Sequence, residues 1–282
     1  MQKAFLKKTY PNPVIVVPVH RLPLDLMENI SLKYVRKILG DYVLHFIMPE
    51  RLALIDFGLL NNERITRLPN RYFQSTDSYN GLLTSAWFYE QFTDFTHMLI
   101  YQLDCLVFKN NLLHWCLKDW DYIGSPMLNY NGDPENDAHW VTGNGGLSLR
   151  KISSFLRILK AFSPKAVYFD SKTRTCDAPD FALGYFPEEL KYRFTIKTWF
   201  RSVIAGWRVD QELRGFRANE DIFWSIEAVK FDPKFRVAPF EEARQFAFEK
   251  HASVLFQKNG NELPFGCHAW EKYEPDFWAK FI

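Results

Sequence analysis

Four short segments carry residues able to do chemistry. In Tyr101-Gln102-Leu103-Asp104-Cys105-Leu106-Val107-Phe108, a carboxylate follows the apolar run Met98–Tyr101. An acid at the carboxyl end of a buried strand sits where open α/β sheets bind ligands. It can hold a hard divalent cation that bridges phosphate oxygens. An Asp in such a place also caps turns. In Val141–Arg150, Gly143, Gly145 and Gly146 surround Asn144. Glycines let a ligand approach the backbone closely; a tight hairpin turn has the same composition. The spacing matches neither a dinucleotide fingerprint nor a P-loop.

The third segment, Asn219-Glu220-Asp221-Ile222-Phe223-Trp224, sets two carboxylates at the start of an apolar helical pattern. Acids in a first turn complement the helix dipole. One of them is also placed to act as a general base if its surroundings tune its pKa. The fourth, Pro264-Phe265-Gly266-Cys267-His268-Ala269-Trp270, holds a histidine among aromatics near the end of the sequence. A lone histidine is more often structural, but this one could complete a metal site with a distant Asp.

A different signal lies between Lys191 and Arg217. Seven basic residues face two acidic ones there, a net charge of +5, with six aromatics interleaved. Such a composition suits an anionic membrane surface or a phosphate-bearing acceptor. Arginine stems laid over core aromatics give the same pattern.

These residues need elements to position them. Val14–Val19 is a β-branched run that reads as a strand buried on both faces. Leu22–Leu39 has helical spacing and stops at Gly40. Val43–Met48 and Met98–Tyr101 read as strands, Leu54–Leu60, Ile65–Leu68, Cys105–Phe108 and Asp121–Gly124 as shorter ones. Helices are expected over Tyr79–Phe92, Leu112–Leu117, Ile152–Phe162, Asp221–Val229 and Glu241–Lys250, with a loop over 128–139 and irregular chain over 163–190. Strands alternating with helices predict an α/β domain.

Composition narrows the function classes. The 282 residues fit one large domain; 47% are hydrophobic and 24% charged, which argues against disorder. Aromatics at 17% leave rings to spare for ligand stacking. A formal net charge of +2 argues against a dedicated nucleic-acid binder. Cys105, Cys116, Cys176 and Cys267 lack paired spacing, so neither a zinc ribbon nor a disulfide framework is expected. The start MQKAFLKKTYPNP has no signal-peptide core, and no apolar run approaches the ~20 residues of a membrane span. A cytoplasmic protein is expected, with peripheral contact to the inner face of the membrane as an option.

Taken in order, QLDCLVF, TGNGGLSLR, NEDIFW and FGCHAW resemble a glycosyltransferase of the GT-A fold. More narrowly, they resemble a bacterial family of glycosyltransferase-like domains of unknown function. The resemblance runs from about Val14 to about Trp270. It implies a Rossmann-like, mixed but mostly parallel sheet flanked by helices, in one domain. About 10–150 would be its nucleotide-sugar half and 151–282 its acceptor and catalytic half, with 191–217 as an insertion.

Residue by residue, the resemblance places Pro18 and His20 at the end of the first strand, beside the nucleotide base. Asp104 matches the last Asp of the DxD motif, which holds the metal and donor diphosphate. Gln102 falls where that motif has its first Asp, so a neutral oxygen replaces a charged one. Asn144, Gly145 and Gly146 fall in the stretch lining donor sugar and acceptor. Asp221, supported by Glu220, matches the acidic pair that supplies the base in inverting members. His268 is similar to the C-terminal metal-ligating histidine.

The implied activity is inverting transfer from a nucleotide-sugar, with UDP as the expected nucleotide, to a glycan or glycolipid hydroxyl. The implied cofactor is Mn²⁺ or Mg²⁺, and the implied setting is bacterial surface polysaccharide or lipopolysaccharide assembly. An alternative is a degenerate GT-A module that binds nucleotide or sugar without transfer, which the missing first Asp favours. A carboxylate-pair glycoside hydrolase built on Glu220, Asp221 and Asp104 is a third reading; the strand order and the late histidine fit it poorly.

Overall fold

The computed structural model describes residues 10–52, 58–129, 131–161, 168–170, 175–177 and 219–282. β1 (Pro13–Pro18) is the central strand expected from its apolar run. Ile15 and Val17 enter one hydrophobic core, and Val14 and Val16 enter a second on the opposite face. Alternation of side chains across a strand makes a continuous apolar run the natural sequence for such a position.

α1 (Leu26–Leu39) covers the first face with Leu32, Val35 and Leu39. It starts later than Leu22 because Asp25 closes a capping box with Glu28. β2 (Val43–Pro49) and β3 (Glu63–Leu68) extend the sheet in parallel. Of the strand expected at Leu54–Leu60, residues 53–57 lie outside the described residues, and 58–60 pair with no strand.

The helix expected over Tyr79–Phe92 is two: α2 (Thr76–Leu83) and α3 (Ala86–Glu90). Ser85 caps the second with its side chain, so a capping residue breaks an otherwise continuous helical pattern. A 3₁₀ turn, Asn70–Phe73, precedes them.

β4 (His97–Tyr101) pairs in parallel with β1 on its other side. After it come β5 (Cys105–Val107), α4 (Leu112–Leu117), β6 (Tyr122–Leu128) and β7 (Trp140–Lys151). β6 runs beyond the expected Asp121–Gly124, and the 128–139 connection holds a short 3₁₀ turn, Asp137–His139. The main sheet is ordered β3-β2-β1-β4-β7-β6 and is parallel except for β7. The glycine-rich segment 143–146 is therefore no hairpin turn. It is the middle of a long strand, irregular where β6 slips register at Gly124–Ser125.

α5 (Ile152–Ala161) lies on the second face. Two short strands, β8 (Tyr168–Asp170) and β9 (Thr175–Asp177), pair antiparallel. The basic, aromatic segment 191–217 lies outside the described residues. The next helical stretch runs through α6 (Glu220–Ile222), a π-turn Phe223–Glu227 and α7 (Ala228–Phe231). Its Trp224 packs on Phe155 of α5 at 3.9 Å between ring centroids.

The helix expected over Glu241–Lys250 is shorter, α8 (Phe240–Phe246). Ala247 and Phe248 leave it as β10 (Ala247–Phe248), because they pair with β11 (Gly266–His268). β11 pairs antiparallel with β5, giving a small sheet β10-β11-β5. α9 (Ala252–Lys258) and α10 (Pro275–Trp278) pack against it through Leu255 and Trp278. The protein is thus a mixed α/β structure, with a mostly parallel six-stranded sheet flanked by helices. Cys105, Cys116 and Cys267 are free and buried. Among the described residues no helix is long and apolar enough to cross a membrane.

Candidate functional site

β1 and β4 end side by side, and their ends open on a cleft. Pro18 and His20 follow β1; Gln102, Leu103 and Asp104 follow β4; Tyr72, Phe73 and Tyr79 form the far wall. The cleft encloses about 480 Å³. Four residues singled out in the sequence, Pro18, His20, Gln102 and Asp104, therefore share one cavity. The aromatic wall was not foreseen, since Tyr72 and Phe73 sit in a 3₁₀ turn far from any motif.

Asp104 is held by a tight turn. Cys105 N–H donates to the Gln102 carbonyl at 3.0 Å, and Tyr101 Oη–H lies 2.7 Å from the Cys105 carbonyl. The small sheet then delivers a histidine to it. β11 ends at His268, which pairs across with Cys105, so the imidazole arrives beside Asp104. His268 Nε2 is 3.3 Å from Asp104 Oδ1 and 3.2 Å from Gln102 Oε1. On the ring's other side, Nδ1 is 3.4 Å from Glu249 Oε1.

These charges set the protonation states. Burial pulls the His268 pKa down, but the carboxylates of Asp104 and Glu249 beside the ring outweigh it and push it up to about 10. Burial raises the Asp104 carboxyl, and His268 more than reverses that, so it ends below its usual range. Cys105 belongs to the same cluster, but burial pushes its thiol well up. A thiol that stays protonated is a poor ligand, and Cys105 Sγ instead lies 3.3 Å from the Gly146 carbonyl.

Gly145 and Gly146 join this cluster to a second one. A methyl group on Gly146 would fall inside the His268 imidazole. On Gly145 it would come within 2.5 Å of Glu220 Oε1 and 3.2 Å of Asp221 Cβ. Both glycines thus serve close approach of side chains from elsewhere in the fold. Asn144 turns its Oδ1 back to accept from Gly146 N–H at 2.8 Å, which steadies the irregular strand.

The acidic pair divides its labour. Glu220 faces the core and is spent on Arg150: Nη2 is 2.7 Å from Oε1, and Nη1 is 3.1 Å from Oε2. Burial raises the Glu220 carboxyl, while the guanidinium draws it back by charge and hydrogen bonds. Glu220, expected in a supporting role beside Asp221, is thus buried and anchored to Arg150. Asp221 lies against the same glycine, Gly145, but remains partly exposed. Its Oδ2 accepts from Gly145 N–H at 3.3 Å and its Oδ1 from Ile222 N–H at 2.8 Å. Burial raises its pKa above the usual carboxylate range, those two N–H groups oppose the shift, and the charge of Glu249 adds to it. A carboxylate so tuned is a stronger base at neutral pH.

A model of one family spans residues 62–268, well over half of the chain. The protein belongs to the DUF5672 family, described as a protein of unknown function. No curated protein matches the sequence. The DUF5672 match takes in Asp104, Gly145, Gly146, Arg150, Glu220, Asp221, Glu249 and His268, and starts after Pro18 and His20. Of these, Arg150 and Glu249 were not singled out in the sequence. Arg150 had a readable signal. Ser148 and Arg150 alternate with the core residues Leu147 and Leu149, so two polar side chains share one face of a buried strand. Glu249 had none, because its place depends on the pairing of β10 with β11.

Proposed function

We propose that this DUF5672 protein has a GT-A-like fold and is an inverting glycosyltransferase. It would move a sugar from a nucleotide-sugar, a UDP-sugar first among them, to a hydroxyl of a glycan or glycolipid. The observation that carries the reading is the meeting of two clusters at one glycine pair. His268, paired with Asp104, lies against Gly146, and Asp221 lies against Gly145. A cleft with an aromatic wall at the carboxyl ends of parallel strands supports a nucleotide ligand.

The donor set fits a divalent cation. Asp104 Oδ1 is buried and makes no hydrogen bond among the described residues, while His268 Nε2 lies 3.3 Å from it. Asp104 and His268 would hold the ion, with Gln102 Oε1 as a neutral oxygen beside them. Bound there, Mn²⁺ or Mg²⁺ would supply positive charge to a diphosphate leaving group. The protein's own residues do the rest. Asp221 takes the proton from the acceptor hydroxyl as oxygen attacks the anomeric carbon. Glu220 and Arg150 hold Asp221 in place. Tyr72, Phe73 and Tyr79 line the cleft and exclude water from one side of the donor.

Incubation with a panel of nucleotide-sugars and Mn²⁺, followed by detection of free nucleotide, tests this reading. Release from one donor, lost in Asp221→Asn, is expected. Binding without release would favour a module that holds the ligand without transfer.

A further inference from the structure

We infer that Glu249 is a positioning residue for His268, fixing the tautomer that leaves Nε2 free to ligate a cation. The inference rests on the metal site proposed above and deepens it. His268 can ligate through one nitrogen only, and the ring proton must then sit on the other. Nε2 is the nitrogen that faces Asp104 and Gln102, the two residues that also line the cleft. The proton is therefore required on Nδ1. Nδ1 is buried and closes no hydrogen bond among the described residues, and the Glu249 carboxylate faces it at 3.4 Å, placed to accept its proton.

The fold delivers Glu249 to this place. β10 runs parallel to β11 with Phe248 beside Cys267, and Glu249, the residue just past β10, comes beside His268. Glu249 is only 7% exposed. A buried carboxylate needs a charged or hydrogen-bonded partner, and the ion pair with His268 is the one its side chain makes among the described residues. Carboxylates that accept the second N–H of a ligating histidine orient the ring and raise its basicity. Glu249 also places a negative charge behind the ring, on the side away from the neutral Gln102.

Calorimetric titration with Mn²⁺ alone tests the inference in wild type, Glu249→Gln, Glu249→Leu and Asp104→Asn. Thermal unfolding in EDTA checks that each variant is folded. Loss of an orienting partner typically weakens metal binding about 10–100-fold. Glu249→Leu should show that loss, and Glu249→Gln should recover part of it, because the amide still accepts from Nδ1–H. If Glu249→Leu does not fold, the same weakening in Glu249→Gln decides the matter. Pulsed EPR of bound Mn²⁺ should show nitrogen coupling that persists in Glu249→Gln and disappears in His268→Gln. Wild-type affinity in the Glu249 variants overturns the inference. So does complete loss matching Asp104→Asn, which would make Glu249 a direct ligand. Failure of wild type to bind Mn²⁺ removes the metal reading and this inference together, and is told apart by that.

Discussion

Arg150 and Glu220 form a two-pronged ion pair inside the second core, with Arg150 fully buried and Glu220 nearly so. The guanidinium also donates to Tyr89 Oη at 2.9 Å and to Ser148 Oγ at 3.0 Å. It ties the end of β7 to the start of α6, and the residue after Glu220 is Asp221. The pair therefore sets where the proposed base stands.

Removing one partner of a buried ion pair typically costs about 3–5 kcal/mol, because the other charge is left buried alone. Arg150→Met should lower stability by that order. Glu220→Gln keeps the shape and part of the hydrogen bonding and should cost less. Urea unfolding of both variants checks the ranking. Equal stability of wild type and Arg150→Met would contradict it.

The glycine pair makes a sharper prediction. Gly146→Ala drives a methyl group into the imidazole of His268, and Gly145→Ala drives one toward Glu220 Oε1. Overpacking of this kind costs about 1–3 kcal/mol. The two variants should differ in function. Gly146→Ala should weaken Mn²⁺ binding by displacing His268, whereas Gly145→Ala should leave Mn²⁺ binding nearly intact and lower turnover. Mn²⁺ titration and donor turnover on the same preparations separate them.

Protons and metal compete at His268. Its folded pKa of about 10 lies above the unfolded value of about 6.5. In the metal-free protein its ion pairs are thus fully present below pH ~6.5 and are lost as pH rises toward about 10. Stability in EDTA should fall over that window in wild type and fall less in His268→Gln. Ligation needs the deprotonated ring nitrogen, so one proton leaves per ion bound. Mn²⁺ affinity should rise with pH over the same window, by up to about tenfold per unit. Affinity that is flat between pH 7 and 9 would rule out His268 as a ligand.

The outcome also shows which parts of the fold local sequence carries. β1 was legible because burial on both faces leaves a continuous apolar run. Asp104, Asp221 and His268 stood out as candidates in short segments, and the fold brings Asp104 and His268 together, with Asp221 one glycine away. What was hidden depends on distant pairing. Phe246–Phe248 carry a helix-like apolar pattern, and pairing with Gly266 and Cys267 turns their second half into strand, which brings Glu249 to the site. The glycines read as a ligand-lining stretch or a hairpin turn, and pairing with β6 on either side holds them within a strand. Glu220 and Asp221 are equivalent in sequence, and Arg150, seventy residues earlier, distinguishes them.

General-base catalysis contributes about 10²–10⁴ in rate. Asp221→Asn should lose kcat by about that factor with little change in donor affinity, since the amide keeps the shape and loses the basicity. Stability should stay near that of wild type, because Asp221 makes no buried ion pair among the described residues. A variant as active as wild type would move the base elsewhere.

Proton NMR of the sugar released or transferred from a nucleotide-sugar, recorded before anomers equilibrate, tests the central claim most directly. An α-linked donor incubated with wild-type protein and Mn²⁺ should give the β-anomer first, and Asp221→Asn should give almost none. An α-anomer as first product, or no consumption of any donor in the panel, would contradict inverting transfer by this site.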